Sequence, residues 1–315
     1  MPAVSHYTTL MYLYKPLLLL LILQAASIHL WAKSDTSLIR AHLSAITKSA
    51  EYRTHDNVKR LNETADYIHV GFARYADTVY FQEYEVDGKL YKNVICSFNT
   101  HSPERIVIGA HYDVCGRQEG ADDNASGVAG LLELARLLKG KNLKHRIDLV
   151  AYTLEEPPYF RTESMGSYVH AKWLSDENVR VLGMVSLEMI GYFREEKHTQ
   201  NYPLGLLSLF YGNRGNYITL VKKYGAGRFA RKFTRSYKRV STVRAKKFAG
   251  PSILPGIDFS DHLNYWHFGY SALMITDTSF YRNANYHEVT DTMETLDFGK
   301  MAKVIDGVLA TLVAI

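Results

Sequence analysis

The stretch Ile106-Val-Ile-Gly-Ala-His-Tyr-Asp113, followed by Ala121-Asp-Asp-Asn-Ala-Ser-Gly127, decides how this chain is read. The first part is a short β-branched run that ends in a histidine. The second puts carboxylates at the mouth of an amphipathic segment, Ser126 to Lys139, whose apolar spacing is helical. The same alternation recurs downstream: Ile147 to Thr153 and Val181 to Leu187 read as buried strands, with a helical pattern from about Met165 to Leu174 between them. Upstream, Ser34 to about Ala50 and Asn57 to Ala73 read as helices. Thr78 to Val86 and Tyr91 to Phe98 read as two strands joined by a turn at Asp87-Gly88. Strands alternating with helices predict an α/β fold, a central sheet flanked by helices. Ligands of such sheets bind beyond the carboxyl ends of the strands. His111, Glu155, Glu156 and Glu188 all fall just past a strand's C-terminal end, and His287 follows near the end of the chain.

Imidazole and carboxylate together are zinc ligands, and a catalytic zinc keeps one position for water. Two ions about 3.5–4 Å apart can hold a water and polarise a carbonyl. Such a pair needs a bridging carboxylate plus a histidine and an acid for each ion. An allocation meeting this demand has Asp123 bridging, His111 and Glu188 on one ion, and Glu156 and His287 on the other. Glu155 is then free to act as general base, and Asp113 is placed to accept the second ring proton of His111. A serine-histidine-aspartate triad would need a Gly-x-Ser-x-Gly turn, and none occurs near these strands.

The pieces Gly109-Ala-His-Tyr-Asp113, Gly120-Ala-Asp-Asp-Asn-Ala-Ser-Gly127, Leu154-Glu-Glu156, Ser186-Leu-Glu-Met-Ile-Gly191, Ser260-Asp-His262, and Tyr286-His287 followed by Asp291-Thr292 run in one order. In that order they resemble the secreted bacterial di-zinc aminopeptidases of the zinc exopeptidase superfamily, relatives of glutamate carboxypeptidases and glutaminyl cyclases. The resemblance covers about Tyr91 to the C-terminus. It implies one domain with a mixed, mostly parallel sheet and two zinc ions per chain. It also implies an activity that removes N-terminal residues from peptides, with Glu155 taking a proton from the attacking water. By the same resemblance Asp123, rather than Asp122, is the bridging ligand, followed by a cis peptide to Asn124, and Glu156 is the ligand of the Glu pair. Glu188 stands where many relatives have aspartate. Asp261 and His262 are expected beside the substrate, or else as a helix cap with a surface histidine. Asp291 either orients His287 or caps a helix near Glu294. Carboxypeptidase-type hydrolysis and single-zinc glutaminyl cyclisation are the competing activities, and a fold kept only for binding is disfavoured by the intact ligand set.

Lys15 and the leucine run Leu17 to Leu23, with apolar character continuing to Ala32, predict an export signal over residues 1–32 ahead of a peptidase domain at 33–315. Such a chain is periplasmic or extracellular, and membrane-associated if the signal stays uncleaved. Hydrophobic residues make up 47% of the chain, enough for one globular core. Lys222 to Lys247 holds eleven Lys or Arg and no Asp or Glu, against a net charge of +5, so the remainder is net acidic. Nucleic acid is not expected as a partner; Tyr217 to about Lys238 reads instead as a helix with one solvated basic face. Cys96 and Cys115 are expected to be free and packed.

Overall fold

A computed structural model describes residues 33–315, and the export signal expected over residues 1–32 lies outside them. Two helices open this part, α1 (Thr36–Thr47) and α2 (Val58–Ala73). Asp35 accepts bonds from the amides of Ser37 and Leu38 to cap α1, and Asn57 accepts from Arg60 to cap α2. The hairpin β1 (Thr78–Val86) and β2 (Lys89–Phe98) turns through Asp87 and Gly88, both at positive φ. Then come β3 (Arg105–His111), α3 (Gly127–Leu138), β4 (Arg146–Tyr152), α4 (Gly166–Asp176) and β5 (Val181–Glu188). The C-terminal part adds α5 (Leu207–Tyr211), β6 (Ile218–Lys223), α6 (Gly227–Val240), β7 (Ala245–Gly250), α7 (His262–His267), β8 (Ala272–Thr276) and α8 (Phe298–Ala314).

The eight strands form one sheet in the order β1-β2-β4-β3-β5-β8-β6-β7. It is mixed, as expected: β4-β3, β3-β5, β5-β8 and β6-β7 are parallel and the other pairs antiparallel. The helix expected over Tyr217 to about Lys238 is instead strand β6 followed by helix α6, and the last basic residues fall in or next to β7. Ile218 to Val221 is a buried, β-branched-rich run, which suits a strand, and the turn at Gly225 and Gly227 separates it from α6. Within α6, Phe229, Ala230, Phe233 and Tyr237 are buried while Arg228, Arg231, Lys232, Arg235, Lys238 and Arg239 are exposed, so the solvated basic face is there, on a shorter element.

Side chains alternate across a sheet, and this decides where the site lies. Val107 and Met184 pack with Tyr152, Ala171, Leu174, Tyr265 and Trp266 on the face covered by α4 and α7. His111 and Glu188 have the same parity as Val107 and Met184, so they emerge on that face at the strands' carboxyl ends. Gly109 sits between Val107 and His111, and a Cβ there would lie 2.3 Å from the Tyr152 ring. The opposite face is covered by α3, α6 and α8, with α1 and α2 alongside. Thr219, Val221, Met274 and Thr276, on β6 and β8, floor a cleft of about 390 Å³.

Candidate metal centre and cleft

His111 ends β3, Glu188 ends β5, and Asp123 lies in the irregular turn Ala121–Ser126 that leads into α3. The Asp123-Asn124 peptide is cis, as the sequence resemblance implied. Asn124 ties this turn to β5: its Nδ2 donates to Leu187 O and its Oδ1 accepts from the amides of Gly127 and Met189. Residues flanking the functional side chains occupy the left-handed region without being glycine, namely Leu154 before Glu155, Met189 after Glu188, and His287 itself. Such backbone is tolerated where surrounding contacts over-determine it.

The side chains converge around Asp123. Its Oδ1 lies 3.3 Å from His111 Nε2 and its Oδ2 lies 3.2 Å from His287 Nε2. His111 Nε2 is also 3.5 Å from Glu188 Oε2 and 3.7 Å from Glu155 Oε2, while His287 Nε2 is 3.2 Å from Glu156 Oε2. Two histidines thus address the two oxygens of one carboxylate, each accompanied by a further acid. Despite these short separations, Glu156 Oε1 and His287 Nε2 have no hydrogen-bond partner among the described residues. Buried polar atoms left unpaired are costly unless something else binds them. The donor set of nitrogen and oxygen atoms is also zinc's own. The residues therefore fit a divalent metal, with His111, Asp123 and Glu156 able to hold an ion together.

Electrostatics agree with this. Burial pushes Glu155 well above the usual carboxylate range, with His111 opposing it, and pushes Glu156 up to about 7, helped by Asp123. Burial likewise raises Glu188. Burial opposes charge on both imidazoles, yet the surrounding carboxylates outweigh it, holding His111 well above its ordinary value and His287 at about 10. An excess of buried carboxylates over cations asks for a bound cation.

Asp113 and Asp291 each hold a loop of the cluster by its backbone amides. Asp113 Oδ1 is 3.4 Å from His111 Nδ1. Its two oxygens also accept the backbone amides of Glu155 and Glu156, at 3.2 and 3.0 Å, which sequence alone did not reveal. Asp291 does the equivalent for the other loop: it accepts the amides of Asp122 and Asp123 rather than orienting His287, correcting that expectation. The correction has a simple cause, since Asp291 follows a turn that carries it back beneath Ala121, whose amide donates to Asp291 O. Asp261 is fully buried and makes no side-chain bond to the amides of α7. Burial pushes it up to about 7. His262 is turned from the cleft; its Nε2 pairs with Ile257 O at 2.8 Å and its ring meets the Trp266 ring edge-on. Neither Asp261 nor His262 lines the cleft. Ser260, by contrast, donates to Glu188 Oε2 at 2.7 Å and touches Ser186 Oγ, a pairing only the fold brings together.

The cleft runs from Asp123, Glu155, Glu156, Glu188 and His287 into a wall of aromatic rings, among them Phe160, Tyr217, Phe248, Phe259 and Tyr281. Tyr286 stacks on His287 with ring centroids 3.8 Å apart. No residue of α6 lines the cleft, so the basic face does not form its entrance. Among the described residues no helix is long and apolar enough to cross a membrane.

Residues 93–312 match the model of peptidase family M28. The chain is 42% identical over 275 residues to the uncharacterized protein YfbL of Escherichia coli K12, covering 85% of this chain and 84% of that one. It is 28% identical over 235 residues to a probable leucine aminopeptidase of Arthroderma otae, 70% of this chain but only 56% of the fungal protein, so it spans little more than half of that relative. Among solved structures, a leucine aminopeptidase precursor from Bacteroides thetaiotaomicron superposes with a TM-score of 0.67 at 19% identity, over 90% of this chain and 98% of that one. A glutaminyl cyclase from the same organism gives 0.66 at 19%, over 89% and 98%. At such identities the two structures establish the fold alone.

Proposed function

This chain belongs to peptidase family M28, and on that premise we propose that it is a zinc-dependent aminopeptidase removing single residues from peptide N-termini. The observation that carries the reading is the convergence of His111 and His287 on opposite oxygens of Asp123, with Glu188 and Glu156 beside them. We assign His111 and Glu188 to one zinc position, Glu156 and His287 to the other, and Asp123 to both. Zinc, when bound, polarises the scissile carbonyl and makes water acidic enough to attack it. Glu155 lines the cleft beside this cluster, takes the proton of the attacking water and returns it to the leaving amine. Asp113 and Asp291 hold the loops that carry these groups.

The aromatic wall suits a bulky apolar side chain at the residue to be removed, in line with the name of the Arthroderma otae relative. At about 0.8 kcal/mol per buried methylene, leucine exceeds alanine by roughly 2.4 kcal/mol, or about 60-fold in kcat/KM. The leucine run Leu17 to Leu23 supports export of the chain. The test uses zinc-loaded protein, a panel of aminoacyl-anilides and their N-acetylated forms. Hydrolysis of leucyl- over alanyl-anilide, abolished by acetylation and reduced at least about 100-fold by Glu155→Gln with metal content retained, supports the reading. Cyclisation of N-terminal glutamine without peptide hydrolysis overturns it.

A further inference from the structure

We propose that Cys115 is a further protein donor at the position of Glu156 and His287, so that this position alone of the two is sulfur-containing. The inference rests on the metallopeptidase reading above but concerns a residue outside that ligand set. A ring nitrogen of His287, a carboxylate oxygen of Glu156 and the sulfur of Cys115 all lie within 4.8 Å of one another. Donors around a tetrahedral zinc with bonds of about 2.0–2.3 Å are roughly 3.5 Å apart, a modest side-chain adjustment from that spacing. Glu156 is 97% buried and its Oε1 has no hydrogen-bond partner among the described residues, nor has His287 Nε2. Cys115 forms no disulfide.

The backbone around the thiol is fixed. Arg53 is fully buried; its guanidinium donates to the carbonyls of Tyr112, Glu119 and Gly120, and its own carbonyl accepts the Val114 amide. Gln118 Nε2 donates to Cys115 O at 2.8 Å. The loop is thereby pinned on both sides of the cysteine, presenting the sulfur to the centre.

Glu156, His287 and Cys115 thus bring three donors together, one of them sulfur, whereas the His111–Glu188 position is surrounded by nitrogen and oxygen donors only. Binding costs the thiol its proton, which passes to solvent, and the soft sulfur favours zinc or cobalt over magnesium or manganese at this position. The two positions are then unequal in donor chemistry.

The test is cobalt(II) loading of wild-type, Cys115→Ser and Cys96→Ser proteins. Expected are two ions per chain, a sulfur-to-cobalt charge-transfer absorption in wild type and Cys96→Ser that is absent in Cys115→Ser, and protection of Cys115 from iodoacetamide by metal. Cys115→Ser should hold one of its two ions about 10–100-fold more weakly in chelator competition. Two bound ions with no charge-transfer absorption and equal alkylation with and without metal would overturn the cysteine assignment while sparing the peptidase reading. Failure of wild type to bind any metal overturns both.

Discussion

Asp113→Asn is nearly isosteric, and the structure says what it takes away. Asp113 Oδ1 faces His111 Nδ1 at 3.4 Å and accepts Glu155 N, while Oδ2 accepts Glu156 N. All three neighbours present N–H groups when His111 uses Nε2 toward a metal. An asparagine must turn its NH2 toward one side. Aimed at Glu156 N, it sets donor against donor and removes a charge-assisted bond of about 1.5–3 kcal/mol. Aimed at His111 Nδ1, it donates to that nitrogen and drives the proton to Nε2, removing the lone pair a metal needs. The surviving bond also weakens by about 1 kcal/mol on losing the charge. The total, roughly 2.5–4 kcal/mol, corresponds to about a 10²–10³-fold loss divided between metal affinity and kcat/KM. Competition against a fluorescent zinc chelator measures the first, and leucyl-anilide hydrolysis at saturating zinc the second. If both stayed within threefold of wild type, Asp113 would be neither the orienting partner of His111 nor the anchor of the Glu155-Glu156 loop.

Two further outcomes concern stability. His170 is fully buried, its Nδ1 paired with Tyr265 Oη, and burial holds it down to about 4. Its folded value is below the unfolded one of about 6.5, so its contribution is complete above pH 6.5 and is lost as pH falls toward 4. That is about 2 kcal/mol by pH 5. Urea unfolding at pH 7 and pH 5 should therefore show a pH dependence flatter by about 2 kcal/mol in His170→Gln, and parallel curves would refute the point. In Gly127→Ala the new Cβ would lie 2.6 Å from both Asn124 Oδ1 and Leu187 O, prising α3 from β5. A loss of about 1–3 kcal/mol, read as a lower melting temperature, should contrast with Gly205→Ala, where nothing lies within reach. Equal melting temperatures would show that α3 shifts without cost.

Much of the fold was legible because strands β3, β4 and β5 are short, mostly apolar runs followed by chemistry-bearing residues. His111, Glu155, Glu156 and Glu188 announced the sheet edge, and the structure brings Asp123 and His287 to it. What sequence could not show depends on pairings across long separations. Asp291 is 169 residues from Asp122, and nothing local tells whether its carboxylate faces an imidazole or two amides. The Ser186–Ser260–Glu188 contact is hidden for the same reason. The aromatic cleft is assembled from several loops, which carry no periodicity. The helix expected over Tyr217 to about Lys238 absorbs a strand, Ile218–Lys223, because the two lysines that end the strand run into the basic face of α6.

The two aspartate anchors tie the centre to opposite stages of synthesis. Asp113 sits 42 and 43 residues ahead of the amides it holds, whereas Asp291 follows the amides of Asp122 and Asp123 by 169 and 168 residues. Domains form as the chain emerges N-terminus first, so strands β3 to β5 can pair long before the shared carboxylate has its final support. His287 is delivered in the same late segment. The centre is thus completed late: a chain that has emerged only as far as β5 carries His111, Asp123, Glu156 and Glu188 but neither His287 nor the carboxylate that holds the Asp122 and Asp123 amides.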